Sequence, residues 1–138
     1  MEGLFPRLRH NEIALMFSGG VDSTATAVQL ARSYHRVHLL TYSNGYGHYG
    51  FERTARRVRE LNRRLDNRFV FHLVSTREYF DRMLVDSVHS DYRAYGSGFV
   101  WCMGCKLTMH LRSALYCLEK GLVFMSDGSN SDTSEMVE

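Results

Sequence analysis

Four short apolar runs punctuate the chain, and each closes on polar or glycine residues. IALMF (13–17), RVHLLTYS (36–43), RFVFHLVS (68–75) and GLVFMSDG (121–128) read as buried strands. Between them apolar residues return at helical spacing: Val21, Ala25, Val28 and Ala31, then Phe51, Ala55, Val58, Leu61 and Leu65, and later Leu107, Leu111, Ala114, Leu115 and Leu118. Phe80, Met83, Leu84 and Val88 predict a further helix over roughly 77–90. This alternation predicts an α/β fold, an open parallel sheet with helices on both faces. No internal repeat or low-complexity linker interrupts it, so residues 1–138 are expected to form a single domain. At the carboxyl end SNSDTSEMVE starts with the N-cap residues Ser131 or Asp132, followed by Glu135, and stops after about one turn. The expectation is a domain truncated there, or one whose site a partner subunit completes.

At 138 residues the chain is long enough to bury a real core. A net charge of +2 is too small to imply nucleic-acid binding by itself. No segment approaches the ~18 apolar residues that span a bilayer, and MEGLFPRLRHNE lacks the apolar core of a signal peptide. Two of the three cysteines stand as Cys102-Met-Gly-Cys105, which suits a metal or redox role in a reducing compartment better than a disulfide framework. A cytoplasmic protein without membrane association is expected.

The densest chemistry is FSGGVDSTAT (17–26), placed where a strand gives way to a helix. In an open α/β sheet, ligands gather at such carboxyl ends. Gly19 and Gly20 admit backbone angles closed to other residues and let a ligand approach the main chain. Peptide N–H groups there, with those of the helix N-terminus, form an anion nest. Ser18, Ser23 and Thr24 add hydroxyls that can turn onto phosphate oxygens. Asp22 would repel a bare phosphate, which suggests either Mg²⁺ bridging or helix capping. Neither the P-loop G-x-x-x-x-G-K-[ST] nor the dinucleotide G-x-G-x-x-G pattern is present.

These residues match, one for one, the SGGxDS[ST] signature of the PP-loop ATP pyrophosphatases. That family includes tRNA thiolation enzymes, tRNA lysidine synthetase, 7-cyano-7-deazaguanine synthase and ammonia-using synthetases. Ser18, Gly19, Gly20, Asp22, Ser23 and Thr24 carry over, with Val21 in the variable slot. The resemblance extends to Thr41-Tyr42-Ser43, where such proteins hold adenine through backbone groups. TYSNGYGHYGFERTARRV is similar to the deazaguanine synthase branch, and Asp127-Gly128-Ser129-Asn130-Ser131-Asp132 to the family's Gly-x-Asn-x-x-Asp segment facing ATP. The likeness covers nearly the whole chain, but only the first motif is highly specific. It implies ATP with Mg²⁺, cleavage between the α- and β-phosphates, and roles in catalysis for Asp22, Ser23, Asp127 and Asp132; Lys106 joins them as a candidate from its place at a helix start beside the cysteine pair. It implies nucleotide contacts from residues 18–24, Tyr42 and Ser43.

WCMGCKLTMH (101–110) is expected in a glycine-containing loop that opens a helix at about Lys106. Cys-x-x-Cys lets two thiolates face one metal, or lets one thiol resolve the other's persulfide or disulfide. In PP-loop enzymes such pairs serve as zinc ligands, iron–sulfur ligands or sulfur carriers, so Cys102 and Cys105 are candidates for all three, with metal binding slightly ahead and its further ligands expected beyond Glu138 or in another chain. As sulfur carriers they would be exposed and of lowered pKa. Cys117 and His110 lie two turns apart on one flank, about 10 Å along the axis, and do not easily share one ion. Cys117 then reads as core packing. Lys106 could meet phosphate or acceptor, or simply be solvated. Helix 51–68 carries Arg53, Arg56, Arg57, Arg59, Arg63, Arg64 and Arg68, an excess that suits a solvated face or a tRNA backbone. The glycine–aromatic stretches 45–50 and 95–98 suit either lids or plain connections.

The expected function is ATP-dependent adenylation of an acceptor, a nucleobase as in tRNA or a small molecule, with release of pyrophosphate. Sulfur transfer, with a sulfur-donor protein, stands ahead of amide or nitrile formation, and a homo-oligomer is expected. A nucleotide- or zinc-binding module without turnover is the rival reading.

Overall fold

The computed structural model describes residues 6–47, 50–96 and 98–129. Strands β1 (Arg9–Met16), β2 (Arg36–Ser43), β3 (Phe69–Ser75) and β4 (Leu122–Ser126) form one parallel sheet in the order β3-β2-β1-β4. Leu15 lies beside Leu39 on one neighbour and Ser126 on the other, and Ser43 beside Ser75. A central parallel strand is covered on both faces, so residues 37–41 of β2 are all buried.

Helices α1 (Val21–Ser33) and α2 (Phe51–Arg64) return the chain across one face. Their Ala27, Ala31, Val58 and Leu61 pack on Ile13, Leu15, Val37, Leu39 and Phe69. After β3 the chain passes to the other face through α3 (Arg77–Phe80), a π-helical turn (Asp81–Val85), α4 (Val88–Tyr95) and α5 (Phe99–Lys120). There Tyr116 and Cys117 of α5 pack on Ala14, Leu40, Val74 and Leu122. The open parallel α/β sheet read from the sequence is therefore present, with Cys117 in the core. The chain steps outward from β1 to β3 and then returns to place β4 on the far side of β1. This reversal opens a crevice at the carboxyl ends of β1 and β4.

Three helix boundaries differ from the sequence reading. Helix α2 stops at Arg64, because Asp66 and Asn67 take left-handed backbone angles (φ 51° and 54°) and the Asn62 side chain binds both N–H and C=O of Phe69. The single helix over 77–90 is instead broken: Asp86 N–H reaches back five residues to Asp81 C=O (2.9 Å), and α4 then starts separately. Helix α5 starts at Phe99, about two turns before Lys106, so Cys102 and Cys105 stand on a helix and not in a loop. Gly104 is tolerated there because Leu84 packs onto its bare Cα; a Cβ would lie 2.0 Å from Leu84 Cδ2.

One polar chain crosses the α5 side of the sheet. His38 Nε2 lies 2.7 Å from Glu12 Oε2, His38 Nδ1 lies 3.0 Å from Tyr116 Oη, and Tyr116 Oη lies 2.8 Å from His72 Nε2. Pairing satisfies groups that burial would otherwise penalise. The cause of Glu12's lowered pKa is mixed: burial raises it, and the hydrogen bonds and charges of His38 and Arg9 more than reverse this. Burial pushes His72 down, helped by His38 and Lys120.

Candidate functional site

The crevice at the strand ends is a cleft of about 590 Å³. Its floor is the turn from β1 into α1. Gly19 sits at φ +76°, a left-handed angle, and a Cβ there would press on Thr54 Oγ1 at 3.2 Å. Gly20 is the N-cap of α1, and no side chain caps the helix. The first intrahelical bond runs from Thr24 N–H to Gly20 C=O (3.0 Å), so the N–H groups of Val21, Asp22 and Ser23 precede any intrahelical acceptor. Those three residues line the cleft, which gives it the positive end of a helix dipole. Ser18 and Ser23 brace the turn: their hydroxyls lie 3.2 Å apart, Gly20 N–H donates to Ser18 Oγ (3.3 Å), and Ser23 Oγ donates to Gly20 C=O (3.3 Å). Asp22 does not cap α1; it is exposed and lines the cleft. Gly19 and Thr24 line a neighbouring hollow with Arg53 and Arg57, and Thr24 Oγ1 is buried without a hydrogen-bond partner among the described residues.

The exit from β4 closes the opposite wall. A Cβ on Gly128 would lie 2.9 Å from Ser23 Cα and 3.1 Å from Ser23 N, so only glycine lets this segment run against the first turn of α1. Asp127 Oδ1 accepts from Ser129 N–H (3.1 Å), and Asp127 Oδ2 lies 3.5 Å from His110 Nε2. Burial pushes the Asp127 carboxyl up, but the Ser129 hydrogen bonds and the nearby Lys106 and His110 hold it below the usual value. Lys106 Nζ donates to Ser129 Oγ at 3.4 Å. Asp22, Ser23, Lys106 and Asp127 thus line one cleft. Asp132, Asn130 and Ser131 lie outside the described residues, as do the proposed carboxyl-terminal helix start and His48 and Tyr49.

Tyr42 lines the cleft, and its hydroxyl is tied to Ser113 Oγ at 2.5 Å; burial pushes its pKa up to about 12. Ser43 is outside the lining, and its C=O already accepts from Thr76 N–H (2.9 Å) and Thr76 Oγ1 (3.3 Å). Sequence reasoning missed Asn44, Thr54 and Thr76 and gave Arg53 only to a basic helix face; all four line the cleft. Thr54 is buried and donates to Ser18 C=O (3.4 Å) and Gly50 C=O (3.3 Å). The rule that put residues 18–24 at a strand's carboxyl end applies equally to the turn after β2, and would have found Arg53 and Thr54.

Cys105 lines the cleft beside Lys106, whereas Cys102 is exposed and outside the lining. Burial, then the neighbouring Cys102, pushes the Cys105 thiol up, contrary to the lowered pKa expected of a sulfur carrier. Among the described residues no three or more His, Cys, Asp or Glu side chains are grouped to hold a metal ion. Within that set the thiol pair supplies two of the four ligands that a zinc or iron–sulfur site takes. Asp22 and Asp127 are the carboxylates that line the cleft, and Mg²⁺ takes few protein ligands and keeps water and phosphate for the rest. The arginines of α2 are exposed. No helix among the described residues is long and apolar enough to cross a membrane. Compared with known proteins, the chain matches no family model and no curated protein.

Proposed function

We propose that this chain is an ATP-dependent adenylating enzyme of the PP-loop type. One observation carries the reading: the uncapped start of α1, with its free N–H groups, opens into the cleft at the point where strand order reverses. The β- and γ-phosphates of ATP lie on residues 18–24, with adenosine toward Thr41 and Tyr42. Mg²⁺, held by Asp22 and Asp127, would neutralise phosphate charge. The acceptor enters from the side of Cys105 and Lys106. Its oxygen attacks the α-phosphorus, the bond to the β-phosphate bridging oxygen breaks, and pyrophosphate leaves. Sulfur or nitrogen then displaces AMP from the adenylated acceptor. The chain's own contribution is orientation and fixed positive charge, from backbone N–H groups, Lys106 and Arg53. We favour a nucleobase acceptor, as in tRNA, and sulfur transfer. Nitrogen transfer is the second reading, because burial of Cys105 and the neighbouring Cys102 raise its pKa and so disfavour the thiolate, which is the nucleophile.

Calorimetric titration with inorganic pyrophosphate and Mg²⁺, followed by ATP, tests the binding half. Pyrophosphate should bind alone and compete with ATP, and Asp22→Ala should weaken both. Binding of adenosine but not pyrophosphate would overturn the assignment of the loop.

A further inference from the structure

Helix α5 is apolar on two opposite sides. Its inner side buries Thr108, Ser113, Tyr116 and Cys117, and Tyr116 and Cys117 pack on the apolar core against the sheet. Its outer side carries Met103, Leu107, Leu111, Ala114 and Leu118, spaced by one turn along the helix and all exposed. Met103 is 56% exposed, Leu107 55% and Leu118 68%. No charged residue interrupts this stripe. A surface helix normally turns charged or polar residues outward, and a helix apolar on both sides is a covered one.

The stripe reads almost the same in either direction, with Leu111 at its centre. Laid antiparallel on itself, it sets Met103 opposite Leu118, Leu107 opposite the small Ala114, and Leu111 opposite its own counterpart. The two Leu107–Ala114 pairs set a large side chain against a small one, and the Leu111 and Met103–Leu118 pairs set apolar side chains against each other. Opposed helix dipoles favour the same arrangement. Met103, Leu107 and Leu118 expose roughly 100 Å² each and the central Leu111, 37% exposed, less; with the flanking rim a copy would bury about 600 Å², the lower end for a specific dimer. We infer that α5 pairs antiparallel with α5 of a second copy, forming a two-fold symmetric dimer. Cys105 and Lys106 stand on the same helix, so this contact fixes the element that supplies one wall of the cleft.

Sedimentation velocity over a broad concentration series tests this, with the intact chain and with Leu107→Glu. The intact chain should sediment at twice its 16.0 kDa mass at micromolar concentration. Leu107→Glu should weaken association at least roughly tenfold, with an unchanged circular dichroism spectrum. Orientation is read by mild oxidation in a Cys102→Ser, Cys105→Ser background. There Leu111→Cys should link to itself, whereas Met103→Cys should not, its counterpart lying ~20 Å away. A monomer at every concentration, a dimer indifferent to Leu107→Glu, or self-linking of Met103→Cys would each overturn the proposal.

Discussion

Replacing Gly104 with alanine sets two effects of known size against each other. Alanine in a helix interior is favoured over glycine by about 1 kcal/mol, so propensity alone predicts stabilisation. The new Cβ, however, would lie 2.0 Å from Leu84 Cδ2, 2.7 Å from Cγ and 2.9 Å from Cδ1. Carbon atoms pack at about 3.5–4.0 Å, so the whole isobutyl group is in the way and not just one methyl. Leu84 is 4% exposed, so no rotamer carries it into solvent. The same joint holds Phe80 edge-on to Trp101, with centroids 4.9 Å apart. Overpacking of this kind costs ~1–3 kcal/mol and occasionally more, and here it belongs at the upper end. The net expectation is a loss of about 1–2 kcal/mol, seen as a Tm lowered by roughly 3–8 °C. Thermal unfolding followed by circular dichroism reads it. Leu84→Ala alone should cost ~2–5 kcal/mol through its cavity, and the double variant should cost less than the sum by at least ~1 kcal/mol. A Gly104→Ala protein with an unchanged or raised Tm would refute the close approach of α5 to the π-helical turn.

Gly128→Ala meets backbone atoms of Ser23 and not a movable side chain, so it should lower pyrophosphate affinity roughly tenfold or more with a smaller loss of Tm; unaltered affinity would detach the β4 exit from the site. For the polar chain, His72 has a folded pKa below its unfolded value, so the unfolded state binds more protons between the two. Stability should therefore fall as pH drops below about 6.5, and His72→Gln should flatten that slope in melts run from pH 8 to 5. An identical slope in the variant would place the proton uptake elsewhere. Alkylation with iodoacetamide, followed by mass spectrometry, should modify exposed Cys102 first, Cys105 more slowly and Cys117 only on unfolding. Equal protection of Cys102 and Cys105 that is lost on chelation would instead reveal a bound metal.

Elements whose signal is local were legible. The bounds of β2 are those read from RVHLLTYS, because a central parallel strand has to be apolar on both faces. The strand–glycine–helix turn at 17–24 was equally plain, since glycine angles, hydroxyls and the helix start are all written in consecutive residues. What failed depended on distant partners. Gly104 looked like a loop residue, yet its reason for being glycine is Leu84 on another element. Asp66 and Asn67 end α2 by a left-handed turn that the arginine-rich pattern before them does not announce. Thr76 enters the site by bonding Ser43 C=O from the neighbouring strand's exit, a contact between residues 33 apart that no local pattern announces. The chain Glu12–His38–Tyr116–His72 joins β1, β2, β3 and α5, and no spacing along the sequence foretells it.

The most direct test of the central claim is to follow the phosphorus atoms. ATP labelled at the α-phosphate is incubated with the protein, Mg²⁺ and a panel of acceptors that includes tRNA, and the nucleotide products are separated. The account predicts labelled AMP, free or carried on the acceptor, with pyrophosphate in equal amount, and loss of both in Asp22→Ala that remains folded. ADP and inorganic phosphate as the main products, formed equally well by Asp22→Ala, would contradict it.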